Sequence, residues 1–158
     1  RFLMFVKIDY PHAQTEQQIL KLARQEALND SQEKLIENPI SQQVIFSARK
    51  QVMDVHVSEG LEKYMIDLIL ATRNPQKYSK TLASQLRFGA SPRATIALDR
   101  CAKAHAWLQQ RDYVTPEDIH QVIYDILRHR IILSFEAEAQ GLTTDQVIST
   151  ILDLVAIP

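Results

Sequence analysis

Arg93 is the side chain whose placement points most directly to chemistry. It follows Ser91-Pro92, a capping residue with proline at the first helical position. It therefore falls in the first turn of a helix, where the positive end of the dipole disfavours a cation by about 0.3 to 1 kcal/mol. An anion would remove that conflict, because free backbone N–H groups beside a guanidinium fork make a natural phosphate site. Position alone also allows a solvated surface arginine. Most other chemistry is missing. The sequence has no glycine-rich phosphate loop, no dinucleotide fingerprint and no serine on a nucleophile turn. With three glycines in all, no phosphate cradle can hide in it. The five histidines, His12, His56, His105, His120 and His129, sit on separate elements without a shared ligand spacing, so no metal site is expected. His105 reads as a hydrogen-bonded core or boundary histidine. Arg128, His129 and Arg130 form a basic group after a helix end, where cations complement the dipole. They read either as a helix stop or as a subunit-contact or nucleotide-edge group. Arg111-Asp112-Tyr113 precedes a helix start and is expected to fix a turn without chemistry.

The elements that must hold these residues are mostly helical. The run Phe2 to Tyr10 is apolar and β-prone and ends at Pro11. A lone edge strand is unstable in water, so its sheet partners are expected in a preceding part; packing as an extended arm over helices is the other reading. Ile19, Leu22, Ala23 and Ala27 then mark an amphipathic connecting helix over 14–30, and 31–40 is a polar linker closing on Pro39. From Ser41, Val44, Ile45, Ala48, Val52 and Val55 form the next stripe. Leu61, Tyr64, Met65, Leu68 and Ile69 form another, ended by Asn74-Pro75 with Arg73 in the last turn. A loop over 76–89 leads to the central helix, whose inner face reads Ala94, Ala97, Leu98, Cys101, Ala102, His105 and Leu108; small residues there allow close backbone approach. Thr115-Pro116-Glu117-Asp118 is the clearest helix start, with Ile119, Val122, Ile123, Ile126 and Leu127 as its buried face. After the apolar stretch Ile131-Ile132-Leu133 and a linker through Gly141, Val147, Ile148, Ile151, Leu152 and Val155 give the last stripe. The period rule thus yields a bundle of about six helices preceded by one strand, divided into 1–12, 13–40 and 41–158. The 158 residues can bury one substantial core. Formal net charge is −1, which gives no long-range pull toward nucleic acid or an anionic membrane. No apolar run approaches the roughly 18 residues of a spanning helix. The opening has neither the basic flank nor the cleavage site of a signal peptide, and the single cysteine, Cys101, reads as a packing residue, so a cytoplasmic setting is expected.

Three ordered blocks carry a family resemblance: Arg87-Phe88-Gly89-Ala90-Ser91-Pro92-Arg93-Ala94, Arg111 through Asp118, and Leu127-Arg128-His129-Arg130. Together they resemble the lid region of the MoxR family of AAA+ ATPases. Arg1-Phe2-Leu3 through Asp9-Tyr10-Pro11 is similar to the last strand of that family's ATPase core, and the stretch Val52 to Val57 and the Tyr64 helix also match. The implied fold is a mainly α helical bundle, the AAA+ lid, preceded by a strand of a truncated α/β core. The resemblance makes Arg93 the sensor-two arginine that reaches the γ-phosphate, with Ser91 and Ala94 on the phosphate side. It makes Arg1 similar to an arginine finger, although a frayed terminus is the plain alternative. It implies ATP with Mg2+ in the intact protein, neither held tightly by this chain alone, which lacks Walker A and B elements and should hydrolyse nothing by itself. It also implies self-association into a ring, client proteins remodelled or matured in chaperone-like fashion, and a von Willebrand factor A domain partner. The rival expectation is a helical nucleic-acid-binding or protein-interaction module with no nucleotide response. It needs a concentrated basic face, which the interspersed acids disfavour.

Overall fold

The computed structural model of the chain describes residues 2–28 and 39–158. Their contacts separate residues up to Val6 together with Phe46–Pro158 from Lys7–Ile45. In the smaller unit, 7–12 is extended and exposed and leads into α1, Ala13–Leu28, which has no buried residue. Much of the expected linker over 31–40, and the expected helix stop at Asn29-Asp30-Ser31, lie outside the described residues. Helix α2, Gln42–Asp54, begins where Ser41 accepts from the Val44 amide at 3.3 Å, and it crosses into the larger unit.

The larger unit is built on α3 (Glu59–Arg73), α5 (Pro92–Leu108), α6 (Pro116–Leu127) and α8 (Thr144–Leu154). Each begins as its sequence directs. Ser58 caps α3 by accepting from the Leu61 amide, α5 and α6 start with proline, and Thr143 with Gln146 forms a capping box on α8. The apolar stripes meet in one core in which Tyr64, Leu68, Ile69, Leu98, Ile119, Ile123, Ile126, Ile148 and Ile151 are at most 2 % exposed. α5 packs chiefly on α6 and next on α3. Its inner face is Ala94, Ala97, Leu98, Cys101, Ala102 and Ala106, all buried, so the backbones come close as the small residues require. Leu108 departs from the expected face and is 69 % exposed, because the helix ends there and the chain turns through Gln110 at φ 59°.

The stretches read as loops contain short elements. Between α3 and α5 lie a 3₁₀ turn at Pro75–Lys77, α4 at Lys80–Gln85 and β1 at Leu86–Phe88. After α6 come β2 at Ile132–Leu133 and α7 at Phe135–Ala139. β1 and β2 pair antiparallel, Leu86 with Leu133 and Phe88 with Ile132, with a bulge between. The apolar run over 2–10, whose sheet partners are expected in a preceding part, has no ladder partner among the described residues; Phe2 to Phe5 lie extended against the end of α6, where the Phe5 amide donates to the Asp125 carbonyl at 2.8 Å. This segment is held by that one backbone bond and by donations from the Arg128 and Arg130 side chains to its carbonyls. No helix among the described residues is long and apolar enough to cross a membrane.

Candidate functional site

The head of α5 is fixed from below by the end of α3. Thr72, buried at 1 % exposure, donates its hydroxyl to the Ile69 carbonyl at 2.7 Å and accepts from the Ala90 amide at 2.9 Å. Arg73 donates from Nε to the Ala90 carbonyl at 2.6 Å, so a residue read as a dipole partner serves instead to anchor the loop before α5. Gly89 fits this close approach only because it lacks a side chain: a Cβ there would overlap the Thr72 carbonyl and lie 2.8 Å from the Arg73 nitrogen. The loop Gly89-Ala90-Ser91 is thereby pinned, and the direction of the first turn of α5 with it.

That turn opens onto a groove of about 680 Å³ lined by Ser91, Arg93 and Arg100 of α5 and its approach, and by Arg130 and the arm residues Phe2 and Leu3. Arg93 is exposed, and the Ser91 side chain makes no capping bond. Ala94 contributes differently from Ser91: its side chain is fully buried and its amide donates to the Ser91 carbonyl at 2.8 Å. Arg100 stands on the same side of the helix, two turns beyond Arg93, and was not singled out in the sequence although an i, i+7 count from Arg93 finds it. Among the described residues no carboxylate lines the groove. Among the described residues none of Arg93, Arg100 and Arg130 joins an ion pair, whereas Arg111 and Arg128 each bind aspartate. Such a surface attracts anions and repels a divalent cation. Among the described residues no cluster of His, Cys, Asp or Glu could hold a metal, so Mg2+ does not fit this chain's groove.

The basic group after α6 divides its labour. Arg130 donates to the carbonyls of Ile126 at 2.5 Å, Phe2 at 2.7 Å and Leu3 at 3.1 Å, tying the arm to the groove wall. Burial lowers the proton affinity of its guanidinium, but with only carbonyls as partners it remains an uncompensated cation. Arg128 donates to Asp145 of α8 at 2.7 Å, to Asp125 at 2.7 Å and to the Phe5 carbonyl at 3.1 Å. His129 is pushed below its ordinary value by burial and by the Arg130 charge beside it, against the pull of backbone bonds to Phe2 and Asp125. The group is thus a helix stop that also clamps the arm, and Arg128 and Arg130 have most of their donors spent internally.

A second polar centre sits at the other end of α5. Asp118 is fully buried and receives Arg111 through both nitrogens at 2.7 and 2.5 Å, His105 Nδ1 at 2.6 Å, and the Thr115 amide at 2.7 Å. Burial would raise its carboxyl, but these bonds outweigh it and hold the group well below the usual carboxylate range. Here Arg111 does fix a turn, and His105 is the bonded boundary residue its position suggested. The arrangement joins α5 to α6, with Asp118 itself sealed from solvent and Arg111 partly exposed. Arg1, the other arginine picked out by resemblance, lies outside the described residues.

Known proteins resemble this chain in sequence and in fold. Residues 79–151 match the family described as AAA lid domain. The chain is similar to Chaperone MoxR1 of Mycobacterium tuberculosis, 31 % identical over all of this chain and 41 % of the relative. It is also similar to Protein MoxR of Paracoccus denitrificans, 40 % identical over 50 % of this chain and 25 % of that protein. A crystal structure of a candidate ATPase from Cytophaga hutchinsonii superposes with a TM-score of 0.89 at 42 % identity, covering 100 % of this chain and 47 % of the other. The chain thus spans less than half the length of these relatives.

Proposed function

We propose that this chain, which matches the AAA lid domain over residues 79–151 and is similar to MoxR proteins, forms the lid region of an intact AAA+ ATPase, coupling ATP binding and hydrolysis to chaperone-like remodelling or maturation of client proteins. The observation that carries this reading is the groove at the head of α5, where Arg93, Arg100 and Arg130 converge without a carboxylate among the described residues. Arg93 acts as the sensor-two residue: it meets the γ-phosphate from the lid side, with the free Ser91 hydroxyl beside it. A phosphate there turns the unfavourable pairing of cation and helix dipole into a favourable three-way contact. Because Thr72 and Arg73 pin the loop before α5, movement of Arg93 toward a phosphate carries the helix with it, and the lid angle follows the nucleotide state. ATP and Mg2+ are held mainly by parts of the intact protein outside this chain, which alone hydrolyses no ATP. The intact protein works in the cytoplasm as a ring, with Arg1 reaching a neighbouring subunit's site, on client proteins and beside a von Willebrand factor A domain partner. The internal use of Arg128 and Arg130 weighs against the nucleic-acid reading.

The test is steady-state ATP hydrolysis by the intact protein, wild type and Arg93→Ala, with assembly mass measured with and without ATP. Turnover should fall by about 100-fold, the usual cost of losing one charge-stabilising donor, while assembly persists. Unchanged turnover and nucleotide affinity would overturn the assignment. For Arg1, mixing Arg1→Ala subunits with active ones should depress hydrolysis beyond simple dilution.

A further inference from the structure

Arg128 stands at the C-cap of α6, and Asp145 in the first turn of α8. The negative end of one helix dipole and the positive end of the other each favour the charge found there. The guanidinium uses all three of its nitrogens. Nε and Nη2 fork onto Asp145 at 2.7 and 3.2 Å, and Nη1 is shared between Asp125 at 2.7 Å and the Phe5 carbonyl at 3.1 Å. Phe5 is therefore gripped on both sides, since its amide donates to the Asp125 carbonyl at 2.8 Å. Asp145 is bonded to this segment only through the arginine. A planar guanidinium held by a fork keeps one orientation, so the fork on Asp145 is what aims Nη1 at Phe5.

We propose that Arg128 is a latch by which the first turn of α8 holds the arm: the charge on Asp145 aims the guanidinium, the guanidinium fixes Phe5, and the arm is released when that charge is withdrawn. Phe2 and Leu3 line the groove at the head of α5, whereas neither Arg128 nor Asp145 does. The latch thus sets one wall of the groove from outside it. It stands on the packing of this chain and does not depend on the nucleotide reading above.

The experiment is amide hydrogen exchange of the full chain at low salt, in wild type, Asp145→Asn, Arg128→Ala, Arg128→Lys and the double variant Asp145→Asn with Arg128→Ala. In each of them α8 keeps its capping box of Thr143 and Gln146 and its buried stripe. Arg128→Ala should speed exchange of the Phe5 amide about tenfold, the cost of one charge-assisted bond, and Asp145→Asn by at least about threefold. Arg128→Lys keeps the charge without the fork and should release Phe5 nearly as far as alanine does. The double variant should exchange no faster than Arg128→Ala, because Asp145 acts through the arginine. The Ala90 amide, held by the Thr72 hydroxyl, reports local opening elsewhere and should exchange as in wild type. Unchanged Phe5 exchange in Asp145→Asn overturns the latch. So does equal acceleration by Asp145→Asn with and without Arg128, full protection of Phe5 in Arg128→Lys, or acceleration of Ala90 by the same factor as Phe5. If Arg128→Ala does not fold, the same cycle is read with Arg128→Lys in its place.

Discussion

Asp118 shows how much a single buried carboxylate can organise. Three residues converge on it through these four hydrogen bonds, and its removal leaves the Arg111 guanidinium and the His105 ring without their partner. Breaking a buried pair from one side costs about 3 to 5 kcal/mol, and Asp118→Ala should lose that much in urea denaturation; a loss under about 1 kcal/mol would mean that the centre is solvated. The pH dependence has a definite sign. The folded carboxyl titrates below its ordinary value of 3.8, so the folded state binds its proton less readily than the unfolded chain does. The stability it contributes is complete above about pH 4 and is lost as pH falls below that. Asp118→Ala should therefore show a flatter fall of stability on acidification than wild type, and parallel curves would refute the coupling. Gly89 makes a second prediction at this scale. Alanine there drives a methyl into the Thr72 carbonyl, which should destabilise the fold by roughly 1 to 3 kcal/mol. It should also displace the Ala90 amide, visible as faster hydrogen exchange at that position than in Thr72→Val.

At the scale of elements, what was legible in the sequence follows from length and period. α3, α5, α6 and α8 each run for eleven residues or more and carry a buried stripe, so the 3.6 period declares all four, and the Ser-Pro and Thr-Pro starts place the heads of α5 and α6. α4, α7, β1 and β2 run for six residues or fewer, too short for a period to declare itself. Their existence depends on contacts far along the chain, such as the pairing of Leu86 with Leu133. The N-terminal run has the composition of a strand, but composition cannot supply a neighbour, and within this chain it rests on the end of α6. Arg93 was visible because it opposes its own helix dipole. Arg100 has no such local signature, and Arg130 looked like a helix stop because its acceptors, Phe2 and Leu3, are more than 120 residues away. The arm itself is testable. Arg130→Ala removes two of the bonds that hold it, so amides of residues 3–5 should exchange at least about tenfold faster, corresponding to a loss of about 1.4 kcal/mol, while α8 amides stay protected. Unchanged exchange at Phe5 would show that its bond to the Asp125 carbonyl suffices.

For the whole molecule, net charge conceals a division of labour. The formal charge is −1, yet the arginines fall into two sets. Arg111 and Arg128 are satisfied by aspartates and serve the fold; Arg93, Arg100 and Arg130 line one groove with no acid among the described residues. An anion that binds the folded groove and has no site in the unfolded chain must raise stability by mass action, by about 2.7 kcal/mol at 100 times its dissociation constant. For a chain of this size that corresponds to roughly 5 to 10 °C in the unfolding midpoint. Tripolyphosphate, the phosphate chain of ATP without its nucleoside, should produce such a shift in wild type, and the shift should vanish in an Arg93→Ala, Arg100→Ala double variant whose own midpoint in plain buffer is equal to or above that of wild type, since no acid among the described residues lines their groove. Raising ionic strength from about 0.01 to 0.15 M shortens the Debye length from about 30 to 8 Å; it should erase most of the ligand-induced shift while hardly moving the midpoint without ligand. A tripolyphosphate shift that persists in the double variant would place the anion site elsewhere. A fall in that variant's own midpoint by several degrees would mean that the two arginines serve the fold, and the separation of structural from ligand-binding arginines would fail.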